Sequence, residues 1–374
     1  MKFVISSSLL LSHLQTVGRV ISSKNTMAIL DNILFCVKGN ELKLTASDGD
    51  NTLETNVGLL EAEGKGHFCV PAKTLLDPLK ELPDQPLTVG INEKTLKIVI
   101  YFRNGKYNFM GSNGAEYPQK KPLSAEAQRF AIAAPALLSG VTRTLFAASD
   151  EELRKVMTGV FFDIRPDEII FVATDSHKLV RLRNLNVKAG MRASFILPKK
   201  PASLLKSVLA KEEGQVEVSF DSNSALFRFA GVELTCRLIE GRFPNYEAVI
   251  PANLPNKLVV DRQTLINVLR RVSVFANPAT LLVSLRLEND CIVASTQDID
   301  FSTSAVENIA CSYNGTPMTI GFSAGTLIEV LSFIASPEVN IDLADSTRPG
   351  ILTPVENAEG EDLLMMLMPM MLQN

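Results

Sequence analysis

Four side chains with obvious chemical potential stand next to one another in the sequence: Thr174, Asp175, Ser176 and His177. A hydroxyl, a carboxylate and an imidazole could act as the nucleophile, the orienting acid and the base of a hydrolase. Adjacent residues of an extended strand point to opposite faces, however, so this spacing does not suit a catalytic triad. The corresponding turn at 47–50 contains no histidine. We predict a structural turn or part of a binding groove and no catalytic residue.

Metal and nucleotide chemistry have little support. The chain has no G-x-x-x-x-G-K-[ST], G-x-G-x-x-G, H-E-x-x-H or G-x-S-x-G motif. Its three histidines are far apart in sequence: His13, His67 and His177. Its five cysteines form no C-x-x-C pair: Cys36, Cys69, Cys236, Cys291 and Cys311. We predict no metal and no cofactor, and we predict reduced cysteines typical of a cytoplasmic protein.

The N-terminus and the C-terminus indicate neither a signal peptide nor a membrane span. Serines 6–8 and His13 interrupt the apolar N-terminal segment, which is unlike the core of a signal peptide. The methionine-rich stretch Leu363–Leu372 is too short to cross a bilayer and contains Pro369. These features favour a cytoplasmic location.

The elements that position these residues repeat three times along the chain. A strand leading into an amphipathic helix is predicted at Phe3–Val17, Phe130–Leu145 and Leu258–Val272, whose first residues are 127 and 128 positions apart. A second strand-to-helix element follows at Phe68–Leu82, Phe195–Leu209 and Ile320–Ile334. A repeat of this length is a whole domain, since solenoid units are only tens of residues long.

Alternating strands complete each repeat, as in Leu87–Phe102 and Val216–Ala230. We therefore predict an α+β fold of three tandem similar domains, each with two helices packed on an antiparallel sheet. Proline-containing segments near 118–128 and 244–256 suggest the linkers. The predicted domains are residues 1–120 (N-terminal), 128–246 (central) and 256–374 (C-terminal).

The predicted helices are basic although the chain as a whole is acidic, with a formal net charge of −4. Eight bases lie on them: Arg19, Lys73, Lys80, Arg143, Lys206, Arg262, Arg270 and Arg271. Only three acids do: Asp77, Glu81 and Glu329. For any single residue, solvation of an outer helix face is the simpler explanation. Taken together, they favour a surface that meets phosphates without reading bases.

Four segments in this order resemble one known family over the whole chain. They are MAILDNILF (27–35), ATDSHKLV (173–180), IEGRFPNYEAVIP (239–251) and MPM (368–370). With the threefold repeat, they resemble the bacterial sliding clamp, the beta subunit of DNA polymerase III. The resemblance implies a head-to-tail homodimeric ring of six domains, with helices around a central hole and sheets outside. Such a ring encircles double-stranded DNA without sequence preference and confers processivity, with no reaction of its own.

The resemblance also implies DNA-binding positions. Lys24 and Lys73 match basic family positions near the first-domain motif and the second helix. A pair that is often aromatic in the family falls here on Lys155 and Val156, so basic side chains are expected to substitute by charge. The predicted DNA contacts are Lys24, Lys73, Arg143, Arg154 and Lys155.

A pocket between the second and third domains is implied for short linear peptides of the replicative polymerase, the clamp loader and repair proteins. Its expected walls are Met157, Thr174, Ser176, His177, Lys178, Leu179, Pro244, Val249, Pro349, Met366, Met368, Pro369 and Met370. Flexible methionines suit varied apolar partners. Met371 and Ala248 stand where the family often has arginine, so we expect less demand for acidic residues in the peptide.

The subunit contact is expected to join domain one to domain three of the other chain. The candidates are Tyr107 and Phe109, which share one strand face, and Val274 and Phe275 after the third-domain helix. An ordinary core role for these four residues is the alternative.

Two other functions stay open from the sequence. A hydrolase with its site at Thr174–His177 predicts loss of turnover in His177→Ala. A peptide-binding scaffold without DNA predicts that charge reversal of Lys24, Lys73 and Arg143 changes nothing.

Overall fold

The computed structural model describes residues 1–25 and 27–372. Six α-helices are found there: α1 (Ser7–Gly18), α2 (Ala72–Lys80), α3 (Ala134–Thr144), α4 (Lys199–Val208), α5 (Arg262–Val272) and α6 (Ala324–Ser332). Side-chain caps fix two of the starts, because Ser6 accepts from the Leu9 amide and Asp261 accepts from the Thr264 amide.

The strands follow the predicted repeat. The first repeat contains β1 (Lys2–Ser6), β2 (Asn32–Lys38), β3 (Glu41–Ser47), β4 (Asn51–Gly58), β5 (Glu61–Glu63), β6 (Gly66–Pro71), β7 (Pro86–Ile91), β8 (Lys97–Phe102), β9 (Gly105–Met110) and β10 (Ser112–Asn113). The second contains β11 (Gln128–Ala133), β12 (Gly159–Arg165), β13 (Glu168–Thr174), β14 (Lys178–Asn184), β15 (Ala193–Pro198), β16 (Gln215–Phe220), β17 (Ser224–Phe229) and β18 (Val232–Arg237).

The third repeat contains β19 (Asn256–Asp261), β20 (Leu282–Glu288), β21 (Cys291–Asp298), β22 (Thr303–Ala310), β23 (Ser312–Asn314), β24 (Met318–Ser323), β25 (Glu338–Leu343), β26 (Gly350–Pro354) and β27 (Glu361–Leu367). Each predicted strand-to-helix element is confirmed, because β1, β6, β11, β15, β19 and β24 each lead directly into a helix. Helices combined with antiparallel sheets confirm the α+β class.

The chain folds into two compact units. Unit 1 is residues 1–138 with 200–238. It has a five-stranded sheet in the order β5-β1-β7-β8-β9 and a nine-stranded sheet in the order β10-β6-β2-β3-β4-β18-β17-β16-β11. Helices α1 and α2 pack together, and Leu10, Leu14 and Val17 of α1 are fully buried. The apolar stripe read from the sequence therefore faces the core.

Unit 2 is residues 139–199 with 239–374. It also has two sheets. One has nine strands in the order β15-β12-β13-β14-β27-β26-β25-β19-β23, and the other has four strands in the order β22-β21-β20-β24. Helices α5 and α6 pack together in this unit. The central repeat thus contributes strands to both nine-stranded sheets. The two compact units therefore do not coincide with the three repeats.

None of the helices in the described ranges is long and apolar enough to cross a membrane.

A lysine between two carboxylates stabilises the junction of the first two repeats in unit 1. Glu54 of β4 and Glu233 of β18 are directly opposite each other in the ladder, an arrangement that is repulsive on its own. The Lys120 ammonium contacts the Glu54 carboxylate and lies 2.8 Å from Glu233 Oε2. Lys43 lies 2.9 Å from Glu54 Oε1. Glu54 is buried, so its charge depends on these partners.

Lys120→Met is expected to lower the free energy of unfolding by about 2 kcal/mol, because it leaves two facing carboxylates with less compensation. The full cost of breaking a buried pair is not expected, because the Lys120 side chain is 31% exposed. Urea denaturation measures the change. The exposed neighbour Lys121 is the matched control, and an equal loss in Lys121→Met would contradict this role of Lys120.

The same contacts predict a pH dependence. Burial would raise the pKa of Glu233, but hydrogen bonds from Lys120 and Arg228 outweigh it and lower the pKa from 4.5 to about 2. A group whose pKa is lowered by folding stabilises the protein above its unfolded pKa and loses that effect as pH falls toward the folded pKa. We expect wild type to lose more stability than Lys120→Met between pH 4.5 and about 2, measured by calorimetry.

Candidate functional site

One row of side chains crosses four neighbouring strands of the nine-stranded sheet in unit 2. Thr174 of β13 is opposite Leu179 of β14, Leu179 is opposite Met366 of β27, and Met366 is opposite Ile351 of β26. Directly opposed residues share a sheet face, with Cβ atoms about 5 Å apart. Three residues of this row, Thr174, Leu179 and Met366, line a cavity.

The cavity has a volume of about 250 Å³. Its walls are Met157, Thr174, Ser176, Leu179, Phe243, Pro244, Asn245, Tyr246, Val249, Pro349, Met366 and Met368. We call it the unit 2 pocket. The lining is mainly apolar, with a few hydroxyl and amide groups, which is the usual composition of a ligand site.

Another wall is formed by the end of the central repeat. The Phe243 ring stacks on Phe161 with centroids 4.6 Å apart and an angle of 1°. The Tyr246 hydroxyl donates to Asp163 Oδ2 at 2.8 Å, and Arg165 Nη2 lies 2.8 Å from the same oxygen. Burial and the bond to Asp163 both raise the pKa of Tyr246, so it stays a neutral donor. The wall is therefore fixed by a stack and a hydrogen bond before any ligand arrives.

The turn at Thr174–His177 is held by its own side chains. Asp175 Oδ1 accepts from the amides of His177 and Lys178, both at 2.8 Å. Thr174 Oγ1 donates to the Lys178 carbonyl at 2.7 Å. These bonds use the Thr174 hydroxyl and the Asp175 carboxylate to hold the backbone of the turn. The prediction of a structural turn is confirmed.

The same aspartate bonds occur in all three repeats. Asp48 accepts from the amides of Asp50 and Asn51, as Asp298 does from those of Asp300 and Phe301. An aspartate that accepts from amides two and three residues later is a recurrent way to close a turn. The aspartate is therefore a feature of the fold and not of one site.

Ser176 has a backbone conformation that L-residues rarely adopt, with φ of +79°. Its hydroxyl accepts from Arg154 Nη1 at 2.5 Å and contacts Met157 Sδ at 3.6 Å. Arg154 also lies 3.6 Å from Glu151. The guanidinium predicted to contact DNA is therefore held against a residue that lines the unit 2 pocket.

Nine of the thirteen predicted pocket residues line the cavity, and four do not: His177, Lys178, Pro369 and Met370. His177 is exposed, and its carbonyl accepts from the Met368 amide at 2.8 Å. The Met370 amide donates to the Gly321 carbonyl at 2.8 Å. These residues hold the chain's C-terminal segment beside the cavity instead of forming its wall.

Lys178 is engaged elsewhere. Its ammonium is 3.1 Å from both Asp175 Oδ2 and Glu329 Oε2, and it lies 5.9 Å from the centre of the Phe146 ring. Burial alone would lower the pKa of Lys178, but the bonds and charges of the two carboxylates outweigh it and raise the pKa. Lys178 is therefore a permanent cation that ties the turn to α6.

Three wall residues were not predicted from the sequence: Phe243, Asn245 and Tyr246. The signal was available, because they stand in the segment IEGRFPNYEAVIP (239–251), beside the predicted wall residue Pro244. In unit 1 the residue equivalent to Phe243 is Tyr117. Tyr117 is buried, and its hydroxyl accepts from the Ser47 amide at 2.8 Å. There an aromatic ring of the chain itself occupies the space beside the turn.

Comparisons with known proteins agree over the full chain. Family models of the DNA polymerase III beta subunit match in order: the N-terminal domain at 1–121, the central domain at 131–245 and the C-terminal domain at 247–370. The chain therefore belongs to the DNA polymerase III beta subunit family. This subunit is the DNA sliding clamp of replication, and it catalyses no reaction itself.

Relatives and solved structures cover the same length. The beta sliding clamp of Pseudomonas aeruginosa is 28% identical over 100% of both chains, and that of Synechococcus elongatus is 28% identical over 95% of this chain and 96% of its own. A sliding clamp structure from Pseudomonas aeruginosa has a TM-score of 0.94 at 27% identity over 100% of both chains. The beta subunit of Streptococcus pyogenes DNA polymerase has a TM-score of 0.93 at 26% identity, over 99% of this chain and 100% of its own.

The side chains predicted to contact DNA differ in their exposure and in whether they already form an ion pair. In unit 1, Lys24 follows α1 and Lys73 lies in the first turn of α2, and both are exposed. In unit 2, Lys155 is also exposed, but Arg143 is only 19% exposed and lies 3.8 Å from Glu361. Arg154 is bonded to Ser176 and lies near Glu151. The other three side chains, Lys24, Lys73 and Lys155, have no ion pair among the described residues.

The predicted subunit-contact residues lie at sheet edges or next to them. Tyr107 and Phe109 are half-exposed on β9, the last strand of the five-stranded sheet in unit 1. Val274 and Phe275 are 78% and 42% exposed beside β22, the last strand of the four-stranded sheet in unit 2. The Phe275 carbonyl accepts from Thr303 of β22 at 3.3 Å. Both strands have an unpaired edge in the described chain.

Proposed function

We propose that two copies of this chain join head to tail as a ring around duplex DNA and tether the replicative polymerase. The observation that supports it most is the pattern of strand pairing. The last strand of the second repeat, β18, pairs with β4 of the first, and the last strand of the third, β27, pairs with β14 of the second. The corresponding β9 and β22 each keep one unpaired edge in the described chain, and their sheets of five and four strands would together make a third sheet of nine.

Burial at equivalent positions supports the same contact. Tyr107 pairs with Ile100 of the preceding strand, as Leu234 pairs with Phe227 and Met365 with Leu352. Leu234 and Met365 are fully buried where their strands meet the neighbouring repeat, whereas Tyr107 is half-exposed. An exposed edge with large apolar side chains is a template for strand addition. A second copy would bury Tyr107 as the neighbouring repeat buries its equivalents.

The exposure of Phe275 supports the same contact from the side of unit 2. Counting along the strand-to-helix repeat, its equivalents are Val20 and Ala147, both fully buried. Phe275 alone is 42% exposed. We propose Tyr107, Phe109, Val274 and Phe275 as the apolar centre of the subunit contact.

We propose that the helices carry the DNA-facing surface, with Lys24, Lys73 and Lys155 as free cations. Phosphate contacts by flexible lysines are sequence-independent and permit sliding. Arg143 and Arg154 contribute less than the sequence suggested, because Glu361 and Ser176 already engage them.

Reversal of Lys24 and Lys73 to Glu is expected to weaken DNA association about tenfold and to lower the slope of log affinity against log salt by about 2. Fluorescence anisotropy with a duplex at several salt concentrations measures both. Reversal of Lys65 and Lys94, also exposed lysines of unit 1, is the matched control. Equal losses in the two double variants would assign the effect to net charge alone.

The unit 2 pocket is proposed to receive linear peptides of the polymerase, the clamp loader and repair proteins. Methionines at Met157, Met366 and Met368 let one wall adapt to different apolar side chains. Ser176 and Asn245 offer a hydroxyl and an amide for a polar anchor. We also propose a cytoplasmic location and the domain limits 1–120, 128–246 and 256–374.

Retention on circular DNA tests the ring. Protein loaded by a clamp loader onto a nicked circle should co-elute with it at high salt and leave when the circle is cut once, because a ring slides off an end. Retention that is unchanged by linearisation would show ordinary surface binding. Failure to be retained on either form would contradict encirclement.

A further inference from the structure

Three of the large apolar side chains exposed near the two free edges lie outside the centre of the proposed subunit contact. In unit 2, Ile299 and Phe301 are 75% and 74% exposed on the turn between β21 and β22. In unit 1, Met110 at the end of β9 is 59% exposed. We infer that β22 and β9 of a second copy pair in one defined register, and that this register packs Ile299 and Phe301 against Met110 of the partner subunit. The inference rests on the proposed ring.

The register follows from the two junctions within the chain. Leu234 is opposite Leu53 in unit 1, and Met365 is opposite Val180 in unit 2. Tyr107 is the equivalent of Leu234 and Met365 in β9, from its pairing with Ile100.

The equivalent of Leu53 and Val180 in β22 is identified in the same way. Leu53 is opposite Ala46 in the first repeat, and Val180 is opposite Ala173 in the second. At the corresponding position of the third repeat, Ala305 is opposite Thr296. Ala305 therefore faces Tyr107 of the partner subunit. An antiparallel ladder then sets the other pairs: Thr303 with Phe109, Ser304 with Asn108, Val306 with Lys106 and Glu307 with Gly105.

One more bond extends each junction beyond its ladder. In unit 1 the Arg237 amide donates to the Asp50 carbonyl at 3.0 Å, and in unit 2 the Met368 amide donates to the His177 carbonyl at 2.8 Å. Met110 is the residue equivalent to Arg237 and Met368. In the inferred register its amide therefore faces the Ser302 carbonyl, next to Phe301.

The side chains at this place differ between the unit 1 junction and the inferred contact. In unit 1 the two side chains are charged, with Arg237 3.6 Å from Asp50 and both 68% exposed. In the third repeat the turn between Asp298 and Thr303 is two residues longer than its counterparts and carries Ile299 and Phe301. Apolar side chains that face each other across a junction are stabilised when both leave water. A second copy is the partner that presents Met110 there.

Engineered disulfides test the register. Ser304 and Asn108 are exposed and would lie directly opposite each other, and opposed strand residues have the Cα spacing of about 5.5 Å that a disulfide prefers. Ser304→Cys with Asn108→Cys should give a covalent dimer on mild oxidation. Ser304→Cys with Lys106→Cys, displaced by two residues, is the control and should cross-link at least tenfold more slowly. Faster cross-linking of the control pair would overturn the register.

Phe301→Ser tests the apolar contact without touching the ladder. We expect the dimer dissociation constant to rise at least tenfold by sedimentation velocity, and further when Ile299→Ser is added. Leu153→Ser, at a 98% exposed leucine, is the control and should change nothing. A normal dimer in Phe301→Ser with the expected disulfide would overturn the contact but leave the ring. A monomeric wild-type protein would instead contradict the proposed function.

Discussion

Deletion of residues 368–374 is expected to abolish polymerase stimulation while leaving the dimer intact. The deletion removes Met368 from the wall of the unit 2 pocket and breaks the bonds from the Met368 and Met370 amides to the carbonyls of His177 and Gly321. Met368 is 38% exposed, and loss of its burial by a bound peptide is alone worth about 2 kcal/mol, to which loss of the wall's anchorage adds. Binding of a polymerase-derived peptide should weaken at least 100-fold by isothermal titration calorimetry.

A shorter deletion provides the control. Removal of residues 371–374 takes away Met371, which is 81% exposed and outside the pocket wall, but keeps Met368 and the Met370 amide. This variant should bind peptide within about threefold of wild type. If the longer deletion still stimulates the polymerase fully, the unit 2 pocket is not the docking site.

Phe275→Asp is expected to convert the dimer to monomers at micromolar concentration. Phe275 is 42% exposed within one chain, so the substitution should leave the monomer fold unchanged. At a subunit contact it would place a carboxylate among Tyr107 and Phe109 of the partner subunit. Burial of an unpaired charge at an interface centre costs several kcal/mol, so the dissociation constant should rise at least 100-fold. Sedimentation velocity measures it.

Leu153→Asp is the matched control, since Leu153 is 98% exposed and belongs to neither β9 nor β22. It should sediment as wild type does. A Phe275→Asp protein that remains dimeric with an unchanged dissociation constant would show that the copies meet through another surface.

The fold could be predicted from the sequence because its signals are local and occur three times. Apolar spacing in Leu10, Leu14 and Val17 marks a helix face, and the same pattern at a fixed period reveals a repeated domain. The grouping of the central repeat's strands into two units could not be predicted. It depends on the pairing of β4 with β18 and of β14 with β27, and strand partners distant in sequence leave no local pattern.

The site was predicted through the family resemblance more than through chemistry. Resemblance placed Thr174, Leu179 and Met366 on one wall, and the register of three strands explains why they meet. It could not show that Arg154 bonds to Ser176 or that Lys178 is held by Asp175 and Glu329. Those outcomes depend on which acceptor a long, flexible side chain can reach in three dimensions.

Negative-stain electron microscopy of the purified protein tests the proposed ring. We expect closed particles made of two copies, with a central hole wide enough for duplex DNA. Elongated or compact single chains over a wide range of concentration would contradict the ring, because the free edges of β9 and β22 would then have no partner and nothing would encircle the DNA.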